Sequence, residues 1–255
     1  MTAIEAVASQ RDDISEEEWK IRVDLAACYR LVARNGWDTL IYTHISAAVP
    51  GEEGHYLVNP FGMYFHEFTA SNLVKVDVKG KIVGKSPHIV NPAAFVIHGA
   101  IHRARAGAGC VLHLHTVAGT GVACQKQGLL PISQDALLFH GNLAYHDYEG
   151  IAVDEGECER LVADLGDKTA LILRNHGTLV VGETVAKAFV TMTFLERACQ
   201  VQVAALSGGS EVIVPTPEVQ KVVTQQAQAA FQAAGFMEWA GLLRTLDAED
   251  PSYKD

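Results

Sequence analysis

Val111-Leu112-His113-Leu114-His115-Thr116 is the stretch on which the reading of this chain turns. Successive residues of a β-strand point to opposite faces. His113 and His115 therefore share one face while Leu112 and Leu114 turn to the core on the other. One strand then offers two imidazole nitrogens to a single point in space. A catalytic zinc takes three protein ligands and keeps one position open. His176 is the third candidate, held between Asn175 and Gly177 at a sharp turn after an apolar strand. The competing explanation of an H-x-H pair is two strand histidines facing solvent, and the pair alone does not separate the two.

Working outward, Ser15 followed by Glu18 forms a capping box ahead of Ile21, Leu25, Cys28 and Val32, and this helix stops at Asn35-Gly36. Residues 1–14 are polar and expected to fray. Between Thr39 and Gly84 the pattern changes to short strands: Leu40 to Val49, Tyr56 to Asn59, Leu73 to Val78 and Ile82-Val83. Lys75, Lys79, Lys81 and Lys85 read as a solvated strand-turn surface. Pro92 suits the first turn of a second helix running to about Arg105. Past the histidine strand, Leu129 to Ser133 and Leu143 to Tyr145 read as strands, and Cys158, Leu161, Val162 and Leu165 as a helical stripe. Thr169 to Leu173 and Leu179 to Val181 are strands on either side of the His176 turn. A long helix from about Glu183 to Leu206 and two more, about Pro217 to Ala234 and Met237 to Leu246, complete the order. No repeat or linker interrupts it, so residues 15–255 read as a single α/β domain with a central, largely antiparallel sheet and flanking helices.

Composition limits the functions. A chain of 255 residues with 49% hydrophobic and 20% charged residues builds a sizeable core. A formal net charge of -10 argues against a nucleic-acid or anionic-membrane surface. No apolar run approaches the roughly 20 residues that span a bilayer. Met1 to Asp13 lacks the apolar core of a signal peptide. Five cysteines, odd in number and without a C-x-x-C pair, read as free thiols of a reducing cytoplasm. Any metal is then expected on histidine and carboxylate.

The stretch 111–116, together with Leu173-Arg174-Asn175-His176-Gly177, resembles the metal-binding core of the class II aldolase/adducin family. Trp37 to Ser46, Asn59 to Val83, Gly128 to Ser133 and Ala144 to Tyr148 fall in family order, so the likeness covers roughly residues 20 to 245. The wording is nearer the adducin head domain and its bacterial relatives than the sugar-phosphate aldolases such as L-fuculose-1-phosphate aldolase. The resemblance implies a three-layer α/β/α fold, a homotetramer with active sites between subunits, and one divalent metal on His113, His115 and His176. Zinc is the default for three imidazoles, and Mn, Fe or Co also fit. The C-terminal helices around Phe236 and Trp239 are expected to help line a neighbour's site.

The chain also departs from those enzymes. Where they open the second helix with Ser-Ser-Glu, this sequence has Pro92, Ala93 and Ala94, and a methyl group neither ligates metal nor moves a proton. A Gly-Asn pair that helps bind phosphate is replaced by Thr43-His44, and a tyrosine that assists protonation corresponds to Asp135. Thr43, His44 and Ser46 are thus the candidate substrate-binding residues, with His44 able to pair with a carboxylate when protonated. Asp135 and His98 are the candidates for proton transfer. His102 lies one turn from His98 on the same helix face. Glu196 interrupts an apolar helical stripe, with an arginine partner expected for it ahead of a role supporting a ligand histidine. His146 and Tyr148 are open between structural and functional roles.

Two functions follow from the resemblance. One is a metal-dependent carbon–carbon lyase, an aldolase or decarboxylase, that handles a small non-phosphorylated hydroxy- or keto-acid through an enediolate. The other is a non-catalytic, adducin-head-like assembly module that keeps its metal site. Neither calls for nucleic acid or membrane as a partner.

Overall fold

A computed structural model describes residue 11 and residues 14–91, 95–150, 155–233 and 235–255. Helix α1 (Glu16–Arg34) begins at Ser15, whose hydroxyl accepts from the Glu18 N–H at 3.1 Å. The return half of the expected capping box is absent. Glu18 is buried instead, and its carboxylate takes Arg22 and Lys75, each at 2.8 Å. Lys75 therefore belongs to a partly buried ion-pair network that includes Glu52, and not to a solvated run. Gly36, at φ +66°, ends the helix as read.

Strands β1 (His44–Ala48), β2 (His55–Val58), β3 (Val74–Asp77), β4 (Cys110–Leu114), β5 (Leu143–His146), β6 (Ala170–Leu173) and β7 (Gly177–Gly182) form one sheet in the order β3-β2-β1-β4-β7-β6-β5. Every pairing is antiparallel except β5 with β6. Those two are joined by α5 (Glu155–Leu165), the crossover that a parallel pair requires. Ile82-Val83 makes only an isolated bridge, Ile82 to Val76. The first expected strand is shortened to His44–Ala48, because Leu40 and Thr43 take positive φ of 54° and 68°.

Leu129 to Ser133 is not a strand. Its backbone is held by side chains: the Leu129 N–H donates to Tyr145 Oη at 3.1 Å and the Leu130 N–H to Gln202 Oε1 at 2.6 Å. The second helix has a π-turn at Phe95–Gly99 and one α-turn, α2 (Ala100–Ala104). The remaining helices are α3 (Val117–Ala123), α4 (Gln134–Leu137), α6 (Val185–Ser207), α7 (Pro217–Ala233) and α8 (Phe236–Glu249). Of the segment 1–14 expected to fray, all but Arg11 and Ile14 lies outside the described residues, as do Pro92, Ala93 and Ala94.

The sheet is covered on both faces, giving the three-layer α/β/α arrangement. Ile45, Ala47, Leu112, Leu114, Ile172 and Val180 pack with α1, α3, α6 and α8. Val111, Leu171, Leu173, Leu179 and Val181 pack with Ile97, Ile101, Leu161 and Leu165 of the opposite layer. Each such aliphatic, fully buried, contributes roughly 1.5–3 kcal/mol. Trp239 is spent within the chain: it is buried, packs at a tilt against Phe189 and donates to Asp24 at 2.9 Å. It is thus occupied in this chain's own core, against the expectation that it lines a neighbour's site, whereas Phe236 and Met237 are exposed.

Candidate metal centre

β4 lies between β1 and β7, buried on both faces. Val111, His113 and His115 share the face that α2 and α5 cover, and along it the aliphatic surface gives way to imidazole. His113 is buried, and its Nδ1–H donates to the Thr178 carbonyl of β7 at 3.0 Å. That bond fixes the tautomer and leaves Nε2 free to ligate. His115 and His176 are half-buried. The three rings close into a triangle with centroid separations of 4.7, 4.8 and 4.6 Å. One nitrogen from each lies within 4.8 Å of the others, and His113 Nε2 and His115 Nε2 stand 2.9 Å apart.

The turn that delivers His176 depends on its neighbours. Asn175 adopts φ +56°, a left-handed conformation that asparagine tolerates better than most residues. Gly177 then passes so close to β4 that a Cβ there would stand 2.4 Å from the Leu114 carbonyl and 3.0 Å from the His115 ring. Thr116, directly after His115, caps α3 by accepting from the Gly119 N–H and donates to Glu196 Oε2 at 2.5 Å. Glu196 also accepts from Gln200 and takes no arginine, so the expected ion pair is not found. Burial raises its pKa, and hydrogen bonds from Thr116, Gln200 and the Gly119 backbone oppose that shift. The carboxylate anchors the turn that follows a candidate ligand.

Desolvation, reinforced by the neighbouring imidazoles, holds His113 well below its usual pKa and takes His176 to about 4; desolvation alone lowers His115. All three are neutral at pH 7, the state a ligand histidine needs. Three neutral imidazoles that converge on one point, one of them aimed by a backbone carbonyl, fit a divalent ion.

The candidates of β1 sort differently. His44 is buried beside His113, with rings 5.5 Å apart, and burial takes it down to about 3. It therefore lacks the charge needed to pair with a carboxylate, which corrects that expectation. Ser46 is also withdrawn from substrate: its hydroxyl lies 2.6 Å from His98 Nδ1 and 2.7 Å from His102 Nε2. His98 is fully buried and reaches the site through His44, Nε2 to Nδ1 at 2.7 Å. Thr43 Oγ1 is buried without a hydrogen-bond partner. Asp135 lies in the first turn of α4, where it pairs with Arg197 at 2.8 Å, and no described hydrogen bond joins it to the histidines.

Sequence reasoning placed His102 on the His98 face but gave it no role, although it closes this network, and it missed the pairing of His146 with Asp164 at 2.8 Å. The signal for His102 was present: two histidines one turn apart opposite His44 and Ser46, two apart on a strand. A cleft of about 590 Å³ opens beside His176, lined in part by Lys126, Asp147, Tyr148, Arg174 and Asn175.

The family described as Class II Aldolase and Adducin N-terminal domain matches residues 23–203. A Caulobacter vibrioides protein, provisionally named an aldolase class 2 protein, is 53% identical over 97% of this chain and 96% of its own length. Alpha-adducin of Rattus norvegicus is 48% identical over 76% of this chain, a match that spans 27% of the adducin. The crystal structure of an aldolase II superfamily protein from Pseudomonas syringae is 50% identical, with a TM-score of 0.92 over 97% of this chain and 100% of that one. An L-fuculose 1-phosphate aldolase from Glaciozyma antarctica is 28% identical, with a TM-score of 0.77 over 94% and 93%.

Proposed function

Because the chain belongs to the class II aldolase and adducin family, we propose that it is a metal-dependent carbon–carbon lyase, an aldolase or decarboxylase, acting on a small hydroxy- or keto-acid without phosphate. The observation that carries this reading is the convergence of His113, His115 and His176 on one point, one nitrogen from each within 4.8 Å of the others. Zinc, or Mn, Fe or Co, bound there would supply Lewis-acid polarisation of a substrate oxygen. The Thr178 carbonyl holds the His113 imidazole, and the Thr116–Glu196 bond anchors the backbone that follows His115. Ala94 offers neither a ligand nor a proton carrier, and Pro92 and Ala93 offer no hydroxyl to a phosphate. Of the cationic groups near the histidines, Lys126 and Arg174 line the adjoining cleft and suit the acid group of a substrate better than neutral His44 does.

The test begins with metal content. Protein purified without chelator should hold near one equivalent of a divalent ion per chain, lost in His113→Ala and His176→Ala. The metal-loaded protein is then offered a panel of hydroxy- and keto-acids, with pyruvate and carbon dioxide release as readouts. Robust turnover of fuculose 1-phosphate or ribulose 5-phosphate would overturn the substrate class. The assembly-module reading is favoured by the 48% identity to an adducin and by the missing carboxylate at Ala94. It takes over when metal is bound and no acid is turned over. In either reading the chain is taken to form a homotetramer.

A further inference from the structure

A polarised chain of hydrogen bonds runs from the second layer to the histidine cluster. His102 Nδ1 lies 3.0 Å from the Ala108 carbonyl, and His102 Nε2 lies 2.7 Å from Ser46 Oγ. Ser46 Oγ is 2.6 Å from His98 Nδ1, and His98 Nε2 is 2.7 Å from His44 Nδ1. His98 and Ser46 are fully buried, His44 nearly so, and His102 stacks on Tyr56 at 4.8 Å. None of these imidazoles has a carboxylate among its described hydrogen bonds, and removal from water disfavours the charged form of each.

A neutral imidazole has one N–H, and a carbonyl oxygen only accepts. Ala108 thus fixes the direction of every bond. His102 must donate through Nδ1 and accept at Nε2, so Ser46 donates its only hydrogen to His102. Ser46 then accepts from His98 Nδ1–H, which leaves His98 Nε2 as an acceptor. His44 must supply that hydrogen from its own Nδ1. Its Nε2 is left with a lone pair, without a described hydrogen bond, on a ring 5.5 Å from that of His113. The residue before it is also unusual. Thr43 is β-branched yet sits at φ +68°, and its buried hydroxyl has no partner. Backbone outliers of this kind cluster at functional sites.

We propose that His98, Ser46 and His102 are positioning residues that lock His44 with its proton on Nδ1, so that His44 Nε2 stands beside the three-histidine centre as a fixed acceptor for a substrate hydroxyl. The lock is a property of the chain itself. Its use on a hydroxyl rests on the proposed function. The centre thereby selects a ligand that carries a hydrogen-bond donor next to its metal-binding oxygen, and discriminates against one that presents only acceptors there.

Two measurements test this. The first is long-range ¹H–¹⁵N NMR of the imidazoles in the metal-free full chain. His44 and His98 should each show a single tautomer with Nδ1 protonated. Ser46→Ala and His102→Phe remove the directing bond and should admit the other tautomer at both residues. Ser46→Thr, which keeps the hydroxyl, should restore the native pattern. A protonated Nε2 on His44 in the native chain, or a His44 signature unmoved in both cut variants, overturns the lock. The second measurement is binding of glycolate, which has a hydroxyl donor, and oxalate, which has none, to the zinc-loaded protein. Cutting the chain of bonds should weaken glycolate roughly five-fold, the worth of one modest hydrogen bond, and leave oxalate within about two-fold. Equal weakening of both overturns the selectivity and leaves the network a purely structural role. A confirmed tautomer with neither acid bound to the native protein overturns the hydroxyl-acceptor role and the substrate class while the lock stands.

Discussion

Acidification from pH 7 to pH 5 should destabilise the metal-free protein through its buried histidines. An unfolded histidine titrates near 6.5, while His44 and His102 are held near 3 and 4 in the fold. A depressed histidine pKa means that the unfolded chain takes up protons that the fold refuses. Stability is therefore complete above the unfolded pKa and falls as pH drops through the window between the two values. At pH 5 the unfolded state has gained about 1.5 pKa units of proton binding at each residue, or about 2 kcal/mol each and about 4 kcal/mol together. His98, His113, His115 and His176 shift in the same direction. Asp24 and Glu196 act in the opposite sense, since burial raises both, but from the lower carboxylate range. Against a total stability of roughly 5–15 kcal/mol, the loss is large. With a urea m-value of about 3 kcal/mol/M, the midpoint moves down by about 1 M. Urea melts of chelator-treated protein at pH 7, 6 and 5, followed by circular dichroism, measure it. A midpoint unchanged or raised at pH 5 would refute the reasoning, because it would mean that these imidazoles are protonated or water-exposed in the fold.

Gly177→Ala should lower zinc affinity at least ten-fold, because the new methyl group meets the Leu114 carbonyl at 2.4 Å and the His115 ring at 3.0 Å. Competition with a coloured chelator measures it, and unchanged affinity means that the turn has room to move. Thr116→Val removes the donor to buried Glu196 and should cost about 1–3 kcal/mol in thermal or urea unfolding. A smaller loss in Thr116→Ser, which keeps the hydroxyl, is the matching control. Light scattering at micromolar concentration should give four times the chain mass, in keeping with the preference of homo-oligomers for closed symmetry. A monomer would remove the basis for sites shared between subunits.

The parts of the fold that could be read from the sequence are those fixed by near neighbours in the chain. Ser15 caps α1 because its acceptor and the Glu18 N–H lie three residues apart, and the H-x-H strand follows from a period of two. Leu129 to Ser133 failed because its apolar pattern is strand-like, while its N–H groups are claimed by Tyr145 and Gln202 from distant elements. Lys75 looked solvated because its partner Glu18 belongs to another element. The same boundary divides the site. His113, His115 and His176 announce themselves by spacing and turn chemistry. The roles of His44, Ser46 and His102 appear only once β1 is paired with β4 and the second helix is laid over that face. Charge was misjudged for the same reason: a histidine named from sequence carries its solution pKa until its burial is known.

The pairing of His44 with His113, and of Ile45 with Leu112, also makes the sheet self-correcting. If β1 slips by one residue, every side chain changes sides. His44 and Ser46 would enter the aliphatic layer under α1 and α6, each leaving polar atoms unbonded at about 1–3 kcal/mol apiece, while Ile45 and Ala47 would face orphaned nitrogens of His98 and His102. An apolar strand pair has little to tell one register from the next. Here the polar network supplies the error signal, so the residues that shape the site also proofread the assembly of the sheet that carries it.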